Sequence, residues 1–348
     1  MKNKKRWTAV GLAVVLGVSV LTGCGSKPQG NSNIDADPNE VVMTVGGDEV
    51  TLKEAYFLAK WQQAQYQTFA NSAYGEDWYN QDLFDEGVTF QESIKEQVAK
   101  EIERMYICKQ HMDEYGVEIT DEDREAIAAA TENFLNANDD AALAAMMADE
   151  ELVERVLTNY RIYNKVYNAL LKDVDTSVSD DEARQKTYSY IYQSFTTTDE
   201  DGNSTEVSAS QQQTYYNTFE DIAAKAKQSG DFDQTAEDAG YSVASHSFGA
   251  TDDDSFSDIN AIADKMAVND VSDVILVDGG LFLIKLDSVN DEEAAQSARQ
   301  EIAQQKLSDA FTEAYEALRG EETIQIDEEL WAKVTFEEPL AAVNASDE

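Results

Sequence analysis

The chain has 348 residues and a net charge of −43, from 69 acidic and 26 basic side chains. Binding to phosphate needs a basic footprint, so nucleic acid is excluded as a partner, and a surface this acidic is repelled by anionic lipid. Two cysteines, Cys24 and Cys108, and two histidines, His111 and His246, hold no zinc site, and there is no Gly-rich phosphate loop; no cofactor or metal is expected.

Lys2, Lys4, Lys5 and Arg6 form a basic head, followed by the apolar run Ala9 to Leu21. The run is shorter than the roughly 20 residues a membrane span needs, so residues 1–23 read as a cleaved export signal. Leu21-Thr22-Gly23-Cys24 closes it and resembles the lipobox of bacterial lipoproteins. That resemblance implies a mature chain beginning at an acylated Cys24. Its diacylglyceryl group supplies the two chains that stable anchoring requires, on the extracytoplasmic face of the cell membrane. An ordinary secretory signal with an incidental cysteine is the alternative. Residues 24–40 are polar, hold two of the three prolines and lack periodicity, and read as a flexible tether.

The body spans 41–336, and no proline interrupts it between Pro38 and Pro339, which permits long helices. Val41–Val45, a Gly46-Gly47-Asp48 turn and Glu49–Thr51 read as a tight hairpin. Thr51 with Glu54 is a capping-box pattern starting a helix to about Phe69, whose Tyr56, Phe57, Trp61, Tyr66 and Phe69 read as core, with a greasy surface for unfolded chains as the alternative. Thr89 with Glu92 starts a second helix, closed by Gly116, and Cys108 falls on its apolar stripe as a small core hydrophobe. Thr120 with Asp123 starts a third, to about Asn136. A short Ala/Met-rich piece and a long helix from Glu150 to Lys172 complete an all-α layer.

The opening Val-Met-Thr-Val-Gly-Gly-Asp-Glu-Val-Thr and the junction Tyr115-Gly116-Val117-Glu118-Ile119-Thr120-Asp121-Glu122 resemble motifs of the SurA/PrsA family of extracytoplasmic chaperones. Three later segments resemble a parvulin domain in the same order: Gly230-Asp231-Phe232 with Ala236, Asn269 to Ile275, and Gly280 to Leu286. The resemblance implies an α+β protein: a helical SurA-N-like chaperone domain over 41–178, completed by the C-terminal helix and strand over 291–336. A divergent parvulin-like domain with a small antiparallel sheet is inserted over 179–290. Residues 337–348 read as an acidic, disordered tail.

By the same resemblance, Tyr190 and Phe282 occupy the positions of the two parvulin histidines, and Phe256, Ile259 and Met266 the apolar substrate pocket, for which plain core packing is the alternative. Prolyl isomerisation needs no covalent step, only stabilisation of the twisted amide, so loss of the histidines leaves activity weak or absent rather than mechanistically impossible. His246, a lone histidine, reads as a surface residue. The implied function is a membrane-anchored chaperone or foldase whose partners are folding exported polypeptides, with a homodimer left open. A working peptidyl-prolyl cis-trans isomerase is the second reading. A solute-binding lipoprotein is the weakest, because no two-lobed βαβ pattern is present.

Overall fold

The computed structural model describes residues 34–84, 87–198, 204–249, 255–320, 322–336 and 340. The export signal, Cys24, the tether to residue 33, the acidic stretches at 199–203 and 250–254, and all of the tail except Leu340 lie outside the described residues. The chain divides after Val174 and after Leu307 into two compact units: a helical unit, made of the two ends, and a sheet unit, Asp175–Leu307. Helices dominate and every strand pair is antiparallel, an α+β architecture. Among the described residues no helix is long and apolar enough to cross a membrane.

The helical unit opens with β1 (Val41–Val45) and β2 (Asp48–Thr51), joined through Gly46 at φ +57°, a conformation that favours glycine. Helix α1 (Leu52–Tyr74) starts at Thr51, whose hydroxyl accepts from Glu54 N at 3.4 Å. The other half of the capping box does not form. The Glu54 carboxylate, 2% exposed, instead accepts from Tyr106 OH (2.9 Å) and Arg155 Nε (3.1 Å), because a buried carboxylate is tolerable only with such donors. Tyr56 and Phe57 are core as expected, but Phe69 is 68% exposed. The inward stripe of the last turns runs through buried Gln63, Gln67 and Ala70, and Phe69 lies about 200° round the helix from Gln67.

Helix α2 (Phe90–Gln110) carries the complete Thr89–Glu92 box and buries Ile94, Val98, Ile102, Met105 and Cys108. Burial pushes the Cys108 thiol up to about 12, so it packs as a hydrophobe. A turn closed by Gly116 at φ +62° leads to α3 (Asp121–Ala137), where the Thr120–Asp123 box also forms. Helices α4 (Asp140–Ala145) and α5 (Glu150–Leu171) follow, and α5 packs on α2 and α3.

In the sheet unit, α6 (Asp180–Ala183) leads into β3 (Lys186–Ser194), the hairpin strands β4 (Thr196–Thr198) and β5 (Ser204–Glu206), and helices α7 (Ala209–Ser229) and α8 (Phe232–Asp238). Then come β6 (Ala244–Phe248), α9 (Ser257–Ala263), β7 (Ile275–Val277) and β8 (Gly280–Ser288). The sheet order is β6-β3-β8-β7. Alternation divides its side chains: Ile191, Leu281 and Leu283 pack with Phe219, Ile222 and Phe232 of α7 and α8, while Tyr188, Ile284 and Leu286 pack with Ile259 of α9.

Helix α10 (Glu292–Arg319) crosses the division. In the sheet unit its Arg299 and Lys306 bond Asp180 and Glu182 at 2.6 and 3.1 Å. In the helical unit Phe311 packs on Tyr167, and Tyr315 OH and Arg319 Nε donate to Glu103. Strand β9 (Ile324–Ile326) pairs with β1, Met43 opposite Ile326, and α11 (Glu328–Trp331) follows. Val334, Phe336 and Leu340 are buried in the same core.

Both ends of the body are more ordered than the sequence suggests. The carbonyls of Glu40 and Pro38 accept from Leu52 N and Lys53 N at 2.8 Å, satisfying free amides at the start of α1, and Ile34 and Ala36 pack on the core, so residues 34–40 are held against the body rather than forming part of a flexible tether. At the other end Leu340 is held by Gln67, inside the stretch read as a disordered tail.

Candidate functional site

The five residues singled out in the sheet unit, Tyr190, Phe256, Ile259, Met266 and Phe282, meet in one cluster. Ile259 is its buried floor and the other four are half-buried, packed against that core with one side open. The register explains the convergence. Tyr190 lies opposite Ile284 and Tyr192 opposite Phe282, so by the two-residue period Tyr188, Tyr190, Tyr192 and Phe282 share one sheet face.

The rings form an aromatic bowl. Tyr190, Phe256 and Phe282 stand mutually at 5.5, 5.6 and 5.8 Å between centroids, within the range of favourable edge and tilted contacts. Tyr192, 4.6 Å from Phe282, extends the bowl and donates its hydroxyl to the Gly279 carbonyl at 3.2 Å. Gly280 makes that placement possible, since a Cβ there would lie 2.5 Å from the Tyr192 ring and 2.6 Å from the Gln193 carbonyl. Beneath, Tyr188 OH donates to Asn260 Oδ1 at 3.0 Å in a fully buried contact. The edge of β8 is sealed by the preceding segment, where Ser272 N donates to Ile284 O and Ser272 Oγ accepts from Ile284 N.

His246 was read as a surface residue, and the structure corrects this. On β6 it sits opposite Tyr188, half-buried, with its ring stacked on Phe256 at 4.3 Å and 20°. The alternation Tyr188, Tyr190, Tyr192 was the signal available for Tyr192. Nothing in the sequence placed His246 or Asn260, because each reaches the bowl from a separate element.

Positions 190 and 282 carry aromatic rings, so no imidazole stands there to donate or accept a proton. Among the described residues no group of three His, Cys, Asp or Glu side chains is placed to hold a metal ion. Three rings and a thioether stand over the apolar Ile259 floor, with the His246 imidazole stacked against Phe256, a lining suited to contact with an apolar side chain. Cys24 lies outside the described residues.

No protein-family model and no curated protein matches the chain. Solved structures similar to it include the SurA-like chaperones PEB4 and Cj1289 of Campylobacter jejuni, with 13% identity, 83% of this chain and 99% of that chain covered, and a TM-score of 0.30. The foldase PrsA of Lactococcus lactis gives 12% identity, 85% and 99% coverage and a TM-score of 0.31. The peptidylprolyl isomerase PrsA of Bacillus cereus gives 21%, 70%, 91% and 0.29. TM-scores of this size leave these as similarities only.

Proposed function

We propose that this chain is an extracytoplasmic chaperone or foldase, held at the membrane through acylated Cys24, that engages exported polypeptides as they fold. The helical unit is the chaperone domain, with 291–336 completing 41–178, and 179–290 is a divergent parvulin-like domain kept as a peptide-binding surface. The supporting observation is the bowl itself. Tyr190, Phe256, Met266 and Phe282 converge on a half-open apolar seat, while the two positions that resemble the parvulin histidines hold rings. Binding without proton transfer is the chemistry such a seat supports, so isomerase activity is weak or lost.

A second reading, an active prolyl isomerase, is favoured by the same apolar seat, because isomerisation needs no covalent step and an apolar pocket disfavours the polar planar amide. The solute-binding reading gains nothing, since all strand pairs among the described residues are antiparallel. Two assays on the full chain separate the classes: exchange spectroscopy on a short Xaa-Pro peptide, and light scattering from an aggregating client that lacks proline. Suppressed scattering without faster exchange is the expected result. Faster exchange that is lost in Phe256→Ala, with no suppression of scattering, transfers the assignment to the isomerase.

A further inference from the structure

The far end of α1 carries a surface that the sheet-unit bowl does not account for. The chain's own segment around Phe336 and Leu340 lies beside it, held by glutamines that read only main chain. Gln91 Oε1 accepts from Phe336 N (2.5 Å) and Gln63 Nε2 donates to Phe336 O (3.2 Å); Gln67 does both for Leu340, at 3.0 and 2.5 Å. Apolar side chains face a ring floor, with Phe336 6.3 Å from Trp78, which in turn packs on Phe90 at 5.2 Å. Phe336 and Leu340 are thus held here by main-chain bonds and apolar contact.

The ring floor continues past that segment into solvent. Phe69 (68% exposed) and Tyr74 (47%) contact one another at 6.3 Å, and Phe84 (44%) packs on Phe90 at 5.6 Å. Gln81 ties the two pairs together, donating to Tyr74 O and accepting from Phe90 N. The surroundings are acidic: Glu76, Asp77 and Asp82 are exposed, and no lysine or arginine occurs between Lys60 and Lys95.

We propose that Phe69, Tyr74 and Phe84 form a client-docking surface, continuous with the rings that seat Phe336, for extended apolar polypeptide segments flanked by basic residues. The proposal rests on the chaperone reading and names its substrate class. The rings take apolar side chains, and the acidic border selects lysine or arginine at the flanks.

The test is fluorescence anisotropy of a labelled decapeptide, Lys-Lys-Val-Phe-Val-Phe-Val-Phe-Lys-Lys, against the full chain. A peptide with glutamates in place of the lysines is the control. We expect the lysine peptide to bind at least about tenfold more tightly than the glutamate peptide, and Phe69→Ser/Phe84→Ser to weaken it by about tenfold or more. Both substituted side chains are exposed, so the urea midpoint of the variant should match the parent. Binding within about twofold of the parent in a folded double variant, or equal binding of the two peptides, overturns the proposal. Light scattering on the same samples separates the two levels. A double variant that suppresses client aggregation as well as the parent leaves the chaperone reading standing and removes this surface. Ring-dependent peptide binding with no suppression by the parent keeps the surface and removes the chaperone reading.

Discussion

Phe336→Ala should loosen the helical unit while leaving the sheet unit intact. Phe336 is 1% exposed, its ring packs toward Trp78, and both of its main-chain polar groups are bonded by glutamines. Truncating a fully buried Phe costs about 3–5 kcal/mol, from lost transfer energy and the cavity left behind. Here the loss has a ceiling. Phe336 lies near the chain end, so once its docking falls below the entropy of ordering that end, the segment undocks and no further stability is lost. A chain truncated after Lys333 measures that ceiling, because it also removes Val334 and Leu340, which are buried in the same core. Tryptophan fluorescence is the selective assay, since Trp61, Trp78 and Trp331 lie in the helical unit and the sheet unit has none. With a urea slope of about 2 kcal/mol/M, the midpoint should fall by about 1.5–2.5 M for Phe336→Ala and no less for the truncation. Leu276→Ala, at an exposed position of the sheet unit, should leave the signal unmoved. A Phe336→Ala shift below about 0.3 M would mean that Phe336 contributes nothing to the unit, and would refute the docking energy.

Glu101→Gln should raise the same midpoint at neutral pH. Burial holds the Glu101 carboxyl above its ordinary range, despite donors from Tyr160 and Gln62, so the folded state binds its proton more tightly than the unfolded state. Stability is then lost as pH rises through that window and stays lost above it, and the gain from glutamine should vanish at pH 4 and below. Glu182 behaves oppositely: Ser179 and Lys306 hold it down to about 2, so its contribution is present above the ordinary glutamate range and lost as pH falls toward that value. Hydrogen exchange at α6 should show protection fading over that descent in the parent and a flatter profile in Glu182→Gln. Gly280→Ala should cost about 1–3 kcal/mol, seen as faster exchange in β3 and β8, because its Cβ would meet backbone as well as the Tyr192 ring. Cys24→Ser should move the protein from the membrane fraction to the soluble fraction, and retention of the variant in the membrane would remove the lipid-anchor assignment.

Helix starts were the most legible part of the sequence, because a capping box is local. Thr89–Glu92 and Thr120–Asp123 both form. The one that fails, Thr51–Glu54, fails through tertiary partners: Tyr106 and Arg155, 52 and 101 residues away, claim the carboxylate. Phe69 was misplaced for a related reason. A stripe of glutamines does not look like core, yet Gln63 and Gln67 are buried because the returning C-terminal segment supplies main-chain partners. In the sheet unit the family resemblance singled out Tyr190, whereas the place of His246 depends on the register of β6 against β3, which no local pattern encodes.

Under the proposed parvulin-like reading, rings stand at both positions that resemble the family histidines, and this changes the demands on the bowl. A site that steers prolyl rotation must favour the twisted amide over the planar one, against a resonance barrier of about 18–20 kcal/mol. An apolar wall contributes by desolvating the polar planar form, but it acts on any buried amide and cannot by itself hold the carbonyl in one orientation. Orientation needs a directed polar group. Two hydroxyls at the bowl are committed to its own framework, Tyr188 OH to Asn260 and Tyr192 OH to the Gly279 carbonyl, and the Tyr190 hydroxyl and the His246 imidazole are the other polar groups beside the rings. A site lined mainly by ring carbon is better suited to holding an apolar side chain than to turning a peptide bond. Chaperone action needs no more than that, repeated at several weak sites on one chain, since weak contacts to an unfolded segment add through effective concentration.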